Sequence, residues 1–211
     1  MSLDNADGVS RWWWIRHAPT AGPTNLIHGA DDAPADLSNS NALTRLANSL
    51  PSDATALTSA LPRAVQTFAA LRHLNRNLTA AQIDPDLGEQ DFGRWTGRTW
   101  DEVDSEAQGF WNDPIDTAPP AGESYRAMCE RVQRCIANLT VASHGDLMIV
   151  AHAGPIRAAL AVALDLPFEA SIRFEIAALS LTRIDAIRAQ SSISWRVQAV
   201  NLQPGDMGAA V

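Results

Sequence analysis

The sequence contains no lysine: all sixteen basic residues among its 211 are arginine. A P-loop lysine and a Schiff-base mechanism are thereby excluded, and any phosphate or carboxylate would have to be held by planar guanidinium forks. Cysteine is almost as scarce. Cys129 and Cys135 stand six apart in a helical pattern, which suits neither a metal site nor a disulfide framework, so two buried thiols in a reducing compartment are expected. Long apolar runs are missing too, because the most apolar stretch, LMIVAHAGPIRAALAVAL from 147 to 164, is cut by His152 and Arg157. With no basic region leading into an apolar one near the start, the reading is of a cytoplasmic protein that does not enter a membrane. Positive charge is in deficit. A formal net charge of −8 argues against nucleic-acid or anionic-membrane partners, so any anion must be gripped locally.

What is present is a chain that is 46% hydrophobic, enough for a sizeable core, and it reads as one domain over 1–211 with loose ends at about 1–10 and 203–211. Strands are expected at Trp12–Ile15, Ala54–Thr58 and Leu147–Ala151. Helices are expected at Ser38–Leu50 with Ser38 as cap, from Pro62 to about His73, over Glu123–Val141, and from around Pro155 to Leu164. Between Phe174 and Val200, apolar and polar residues alternate as in two or three antiparallel edge strands. Strands alternating with helices predict an α/β layer fold with a largely parallel central sheet and a late antiparallel part.

In such sheets ligands bind beyond the carboxyl ends of the strands. There the chain delivers Arg16 and His17 after the first strand, Ser59 to Arg63 after the second, and His152 after the third. Two arginines and two histidines in a dry interior would each need partners, whereas a phosphate monoester, held also by backbone N–H groups near Gly154, would supply the missing negative charge. The other histidines, His28, His73 and His144, read as surface residues, and Arg157 as a structural partner rather than a ligand. Adjacent residues of a strand face opposite ways, so the seven tryptophans read as core rather than as one stacking platform.

The stretches RHAPT (16–20), TSALPRAVQTFAAL (58–71), LGEQDFGRWTG (87–97), AGESYRAMCERV (121–132) and VAHAGPIRAAL (150–160) resemble the successive motifs of the histidine phosphatase superfamily. The resemblance covers nearly the whole chain. The tryptophan-rich start, the ADLS of 35–38 and the EQDFGRW stretch look most like α-ribazole phosphatase-type members, which act in cobalamin assembly. A three-layer phosphoglycerate mutase-like fold is implied, with His17 as nucleophile, Arg16, Arg63 and His152 around the phosphate, and Glu89 as proton donor. No metal or cofactor is implied; the partner is a small phosphorylated substrate, and a homodimer stays open. Asp91 is the alternative acid.

The chain departs from the family pattern at Ala18, usually glycine, at Pro19, often acidic, at Thr96, often glutamate, and in an asparagine that is out of register, Asn25 being nearest. These departures bear on the loop from Ala18 to Gly29. Phosphoglycerate mutase and a catalytically silent binder are the competing readings. Against the mutase stand seven acidic residues and no basic one from Thr99 to Tyr125, which should repel a second anionic group. Against the silent binder stands the survival of His17, Arg63, Glu89 and His152.

Overall fold

The computed structural model describes residues 8–143, 145–189 and 192–206. The chain runs through β1 (Val9–Arg16), α1 (Ser40–Ser49), β2 (Thr55–Thr58), α2 (Pro62–Leu74), β3 (Gln82–Ile83), α3 (Trp100–Val103) and α4 (Gln108–Asn112). It continues through α5 (Tyr125–Ala142), β4 (Leu147–Ala151), α6 (Ala153–Leu164), α7 (Phe168–Ser171), β5 (Leu181–Ala189) and β6 (Ser192–Leu202). One six-stranded sheet has the order β3-β2-β4-β1-β5-β6. Its first four strands are parallel, and β5 and β6 extend it antiparallel to β1, as the late alternating segment predicts.

Three consecutive tryptophans fit because the strand pleat divides them. Trp12 and Trp14 pack with Leu147 and Ile149 under α5 and α6, while Trp13 and Ile15 pack with Met148 and Val150 under α1 and α2. Each face of the sheet thus gains its own core, and the molecule has three layers. Full burial of one large apolar side chain stabilises by roughly 1.5–3 kcal/mol, so this short strand anchors both layers.

Several boundaries differ from the sequence reading for local reasons. The cap of α1 is Asn39 rather than Ser38, because the Asn39 side chain accepts from the Ala42 N–H while the Ser38 N–H is taken by Asp36. α5 starts at Tyr125, capped by Ser124. α6 opens at Ala153, which puts Pro155 in its first turn, where the missing N–H costs nothing. Residues 174–180 form a bend and a turn outside the sheet, so the late segment holds two strands, the smaller of the two numbers expected. Val9 and Ser10 are strand residues paired with Ile187 and Ala186, not loose chain, and the Asp206 N–H closes a turn on the Gln203 carbonyl. The rest of the two ends, and His144, lie outside the described residues. Among the described residues no helix is long and apolar enough to cross a membrane.

Candidate active site

Register brings the polar strand ends together. Arg16 pairs with Ala151 and Thr58 with Val150, so His17, Ser59 and His152 emerge side by side. The His17 N–H still donates to the Ala151 carbonyl at 3.0 Å, which fixes the backbone under the imidazole.

Hydrogen bonds define the state of His17. Its Nδ1–H donates to the Ala18 carbonyl at 2.5 Å, and its Nε2 accepts from the Arg63 Nε–H at 3.2 Å, which assigns the Nδ1-protonated tautomer with a lone pair on Nε2. Burial, then the Arg63 guanidinium, lowers its pKa from the ordinary 6.5 to about 3, so the ring is neutral at physiological pH. His152 lies 4.8 Å away, ring to ring, and burial and the neighbouring positive groups also hold its pKa well below the usual value. The Ser59 hydroxyl oxygen accepts from the Leu61 N–H and lies 2.7 Å from His152 Nε2, while His152 Nδ1 is buried with no partner.

Arg63, the second residue of α2, is 1% exposed. Besides His17, it donates through Nη1 to the carbonyl and carboxylate of Asp31, at 2.9 and 3.0 Å, and through Nη2 to the Gly29 carbonyl. Four of its five N–H donors are therefore committed before any ligand arrives. Gly29 itself sits at φ 54°, and a Cβ there would meet the Gln90 carbonyl at 2.8 Å, so this close approach needs glycine. Arg16 donates through Nη1 to the Ile176 carbonyl at 2.6 Å, while its Nε is buried without a partner.

Glu89 lines the same cavity. Its carboxylate accepts the Gly154 N–H at 3.1 Å, so the Gly154 N–H, read from the sequence as a phosphate donor, instead orients the acid. A Cβ at position 154 would lie 2.3 Å from Glu89 Oε1, so any larger residue there would displace the carboxylate. Asp91 accepts from the Gly93 N–H at 2.8 Å and does not line the cavity; it builds the turn beside Glu89.

The cavity measures about 520 Å³ and is lined by Arg16, His17, His28, Arg63, Glu89 and Arg157. Phe92, Trp100, Phe110 and Trp111 form its aromatic wall. A neutral nucleophilic nitrogen, guanidinium groups and one carboxylate around a space of this size are equipped to receive a phosphoryl group.

The model of the histidine phosphatase superfamily (branch 1) matches residues 12–201. The chain belongs to this superfamily. Adenosylcobalamin/α-ribazole phosphatase of Escherichia coli is 32% identical over 175 residues, 79% of this chain and 85% of that protein. A bifunctional protein of Mycobacterium tuberculosis is 34% identical over 115 residues, 52% of this chain but 32% of that protein, so the chain spans about a third of the length of that relative. Among solved structures, a mycobacterial glucosyl-3-phosphoglycerate phosphatase superposes with a TM-score of 0.79 at 25% identity, covering 92% of this chain and 100% of that one. The α-ribazole phosphatase of Shigella flexneri superposes with a TM-score of 0.76 at 27% identity, covering 95% and 98%.

For this member of the histidine phosphatase superfamily, four sequence readings need correction. His28 is no surface residue: it lines the cavity, whereas His73 is exposed. Arg157 does hold structure, donating to the Phe174 carbonyl at 2.8 Å, yet it also lines the cavity. Trp100 and Trp111 are 36% and 50% exposed at the cavity wall rather than core, while Trp95 is buried beneath them. None of the seven acidic residues of 99–125 lines the cavity. Six point to solvent, several capping helices or pairing with arginines, and Glu123 is held by Arg131. Local repulsion by these carboxylates therefore gives no ground for refusing a second anionic group. The Ala18–Gly29 loop is pinned at both ends, by the Ala18 N–H on Thr67 and the Ile27 N–H on the Arg98 carbonyl.

Proposed function

We propose that this protein hydrolyses small phosphate monoesters without a metal ion, through a phosphohistidine on His17. The observation that carries the reading is the neutral His17 whose Nε2 lone pair faces the buried guanidinium of Arg63. In the first step Nε2 attacks phosphorus in line, the P–N bond forms, and the P–O bond to the leaving alcohol breaks as Glu89 gives that oxygen a proton. In the second step water attacks the phosphoryl group, Glu89 takes its proton, and the P–N bond breaks to restore the neutral imidazole. Arg16, Arg63 and His152 stabilise the equatorial oxygens in both transition states. As Nε2 bonds to phosphorus, the Arg63 Nε–H is freed to move to a phosphoryl oxygen. The chemistry thus supplies a donor when charge develops.

The finer reading is an uncharged, ring-bearing leaving alcohol, as in α-ribazole 5′-phosphate. Its support is the aromatic wall, in which Trp100 and Phe110 lie 6.2 Å apart at 20° and Trp111 packs 4.9 Å from Trp100, together with the similarity to α-ribazole phosphatases. Hydrolysis of p-nitrophenyl phosphate that is unchanged by EDTA and blocked by vanadate tests the chemistry. A panel of α-ribazole 5′-phosphate, 3-phosphoglycerate and sugar bisphosphates tests the substrate, and higher kcat/KM for the last two, or mutase activity, contradicts the finer reading.

A further inference from the structure

We infer that Arg131, paired with Glu123, is a positioning residue for the proton donor Glu89; this rests on the phosphatase reading above. Residues 88–92, which carry Glu89, belong to no helix or strand, so no backbone ladder holds the donor in place. The Glu89 carboxylate accepts the Gly154 N–H at 3.1 Å and the Gln90 N–H at 3.0 Å, which orients its tip. A donor misplaced by about 1 Å can cost about 100-fold in rate, so the backbone that carries it must be fixed as well.

Helix α5 and the residue pair at its start supply that fixing. Arg131, on α5, donates through Nη2 to the Glu89 carbonyl at 3.0 Å and through Nη1 to the Asp86 carbonyl at 2.7 Å. The same guanidinium grips Glu123 twice, Nη2 to Oε1 at 2.7 Å and Nε to Oε2 at 3.2 Å. Glu123 Oε1 in turn accepts the Asp91 N–H at 3.1 Å, and the Glu123 N–H donates to the Asp91 carbonyl at 2.9 Å. The Gln90 side chain donates to the Glu123 carbonyl at 3.0 Å. The backbone is thus held before Glu89, at Glu89 and after it. Neither Arg131 nor Glu123 lines the cavity, so both act through the donor's backbone and not on the substrate. Their side chains are 16% and 24% exposed, and a bidentate pair in that setting is stiffer than an open surface pair. A single ammonium could not reach Glu89, Asp86 and Glu123 together as this planar fork does.

The need for a proton donor depends on the leaving alcohol, and that gives the test. Dinitrophenolate departs without a proton, whereas the alkoxide of glycerol phosphate needs one as its P–O bond breaks. The ratio kcat/KM reports only the steps through phosphoryl transfer to His17, so later hydrolysis of the phosphohistidine does not blur the comparison. In Arg131→Met, kcat/KM for glycerol phosphate should fall by about 10- to 100-fold, and for dinitrophenyl phosphate by no more than about 3-fold. Affinity for inorganic phosphate, measured by calorimetry, should stay as in wild type. Arg131→Lys keeps a charge beside Glu123, which protects the fold, yet loses the fork; it should show the same selectivity at smaller size. Equal losses on the two esters in these variants, or no loss on either, overturn the inference, because a merely structural role does not tell leaving groups apart. Glu89→Gln, assayed in parallel, should be selective in the same direction and more strongly. Equal losses on both esters in Glu89→Gln overturn Glu89 as the acid instead.

Discussion

Arg63 Nε donates to His17 Nε2 over 3.2 Å, so the group that neutralises phosphate also touches the atom that would attack it. The contact keeps the lone pair aimed, and burial, then the positive charge, keeps the imidazole unprotonated. Lysine at this position could not reach His17, Asp31 and Gly29 together. Arg63→Lys is expected to lower kcat/KM by at least about 100-fold, in line with loss of a transition-state donor, and steady-state assays of the variant check it.

Acidity should destabilise the native state through the same histidine. The pKa of His17 is about 3 in the folded protein against 6.5 as the ordinary value. Between these values the unfolded chain binds a proton that the folded one refuses, so stability is present above about 6.5 and falls as pH drops toward about 3. His17→Asn should therefore show a flatter loss of stability than wild type across that window in urea titrations at several pH values. Parallel curves would mean that His17 is not buried neutral.

Position 154 gives a test of the acid. Because a Cβ there would lie 2.3 Å from Glu89 Oε1, Gly154→Ala should push the carboxylate away and remove its N–H bond without touching His17 or Arg63. The expected result is a drop in kcat of about 100-fold with phosphate affinity kept, within the range for loss of general acid catalysis. Wild-type kcat in the Gly154→Ala variant would contradict the assignment of Glu89.

The aromatic wall makes its own prediction. Trp111 is half exposed, so Trp111→Ala should fold normally. It is expected to reduce kcat/KM about 2- to 10-fold for a ring-bearing monoester and to leave glycerol phosphate unaffected. Equal losses on both substrates would assign the ring to packing alone.

Much of this was legible in the sequence because backbone rules carry it. β4 has the predicted limits, since Leu147–Ala151 is an unbroken apolar run bounded by polar residues, and β1 was marked by its tryptophans. From these, the strand-end rule brings Arg16, His17, Arg63 and His152 to one edge. β3 was missed because two exposed residues carry no periodicity. His28 was missed because its environment is made by Asp31 and the cavity; the only local hint was an i,i+3 histidine–aspartate spacing around Gly29. The acidic stretch misled for a related reason. Charge counted along the chain does not say which way each carboxylate points, and here they point away from the cavity.

The most direct test of the central claim is to quench the enzyme during turnover of a radiolabelled phosphate monoester under conditions that preserve phosphoramidate bonds, then map the label by peptide sequencing. Label on His17 Nε2, absent from a folded His17→Ala variant, is the predicted result. Label on another residue, or full turnover by the variant, would contradict the account.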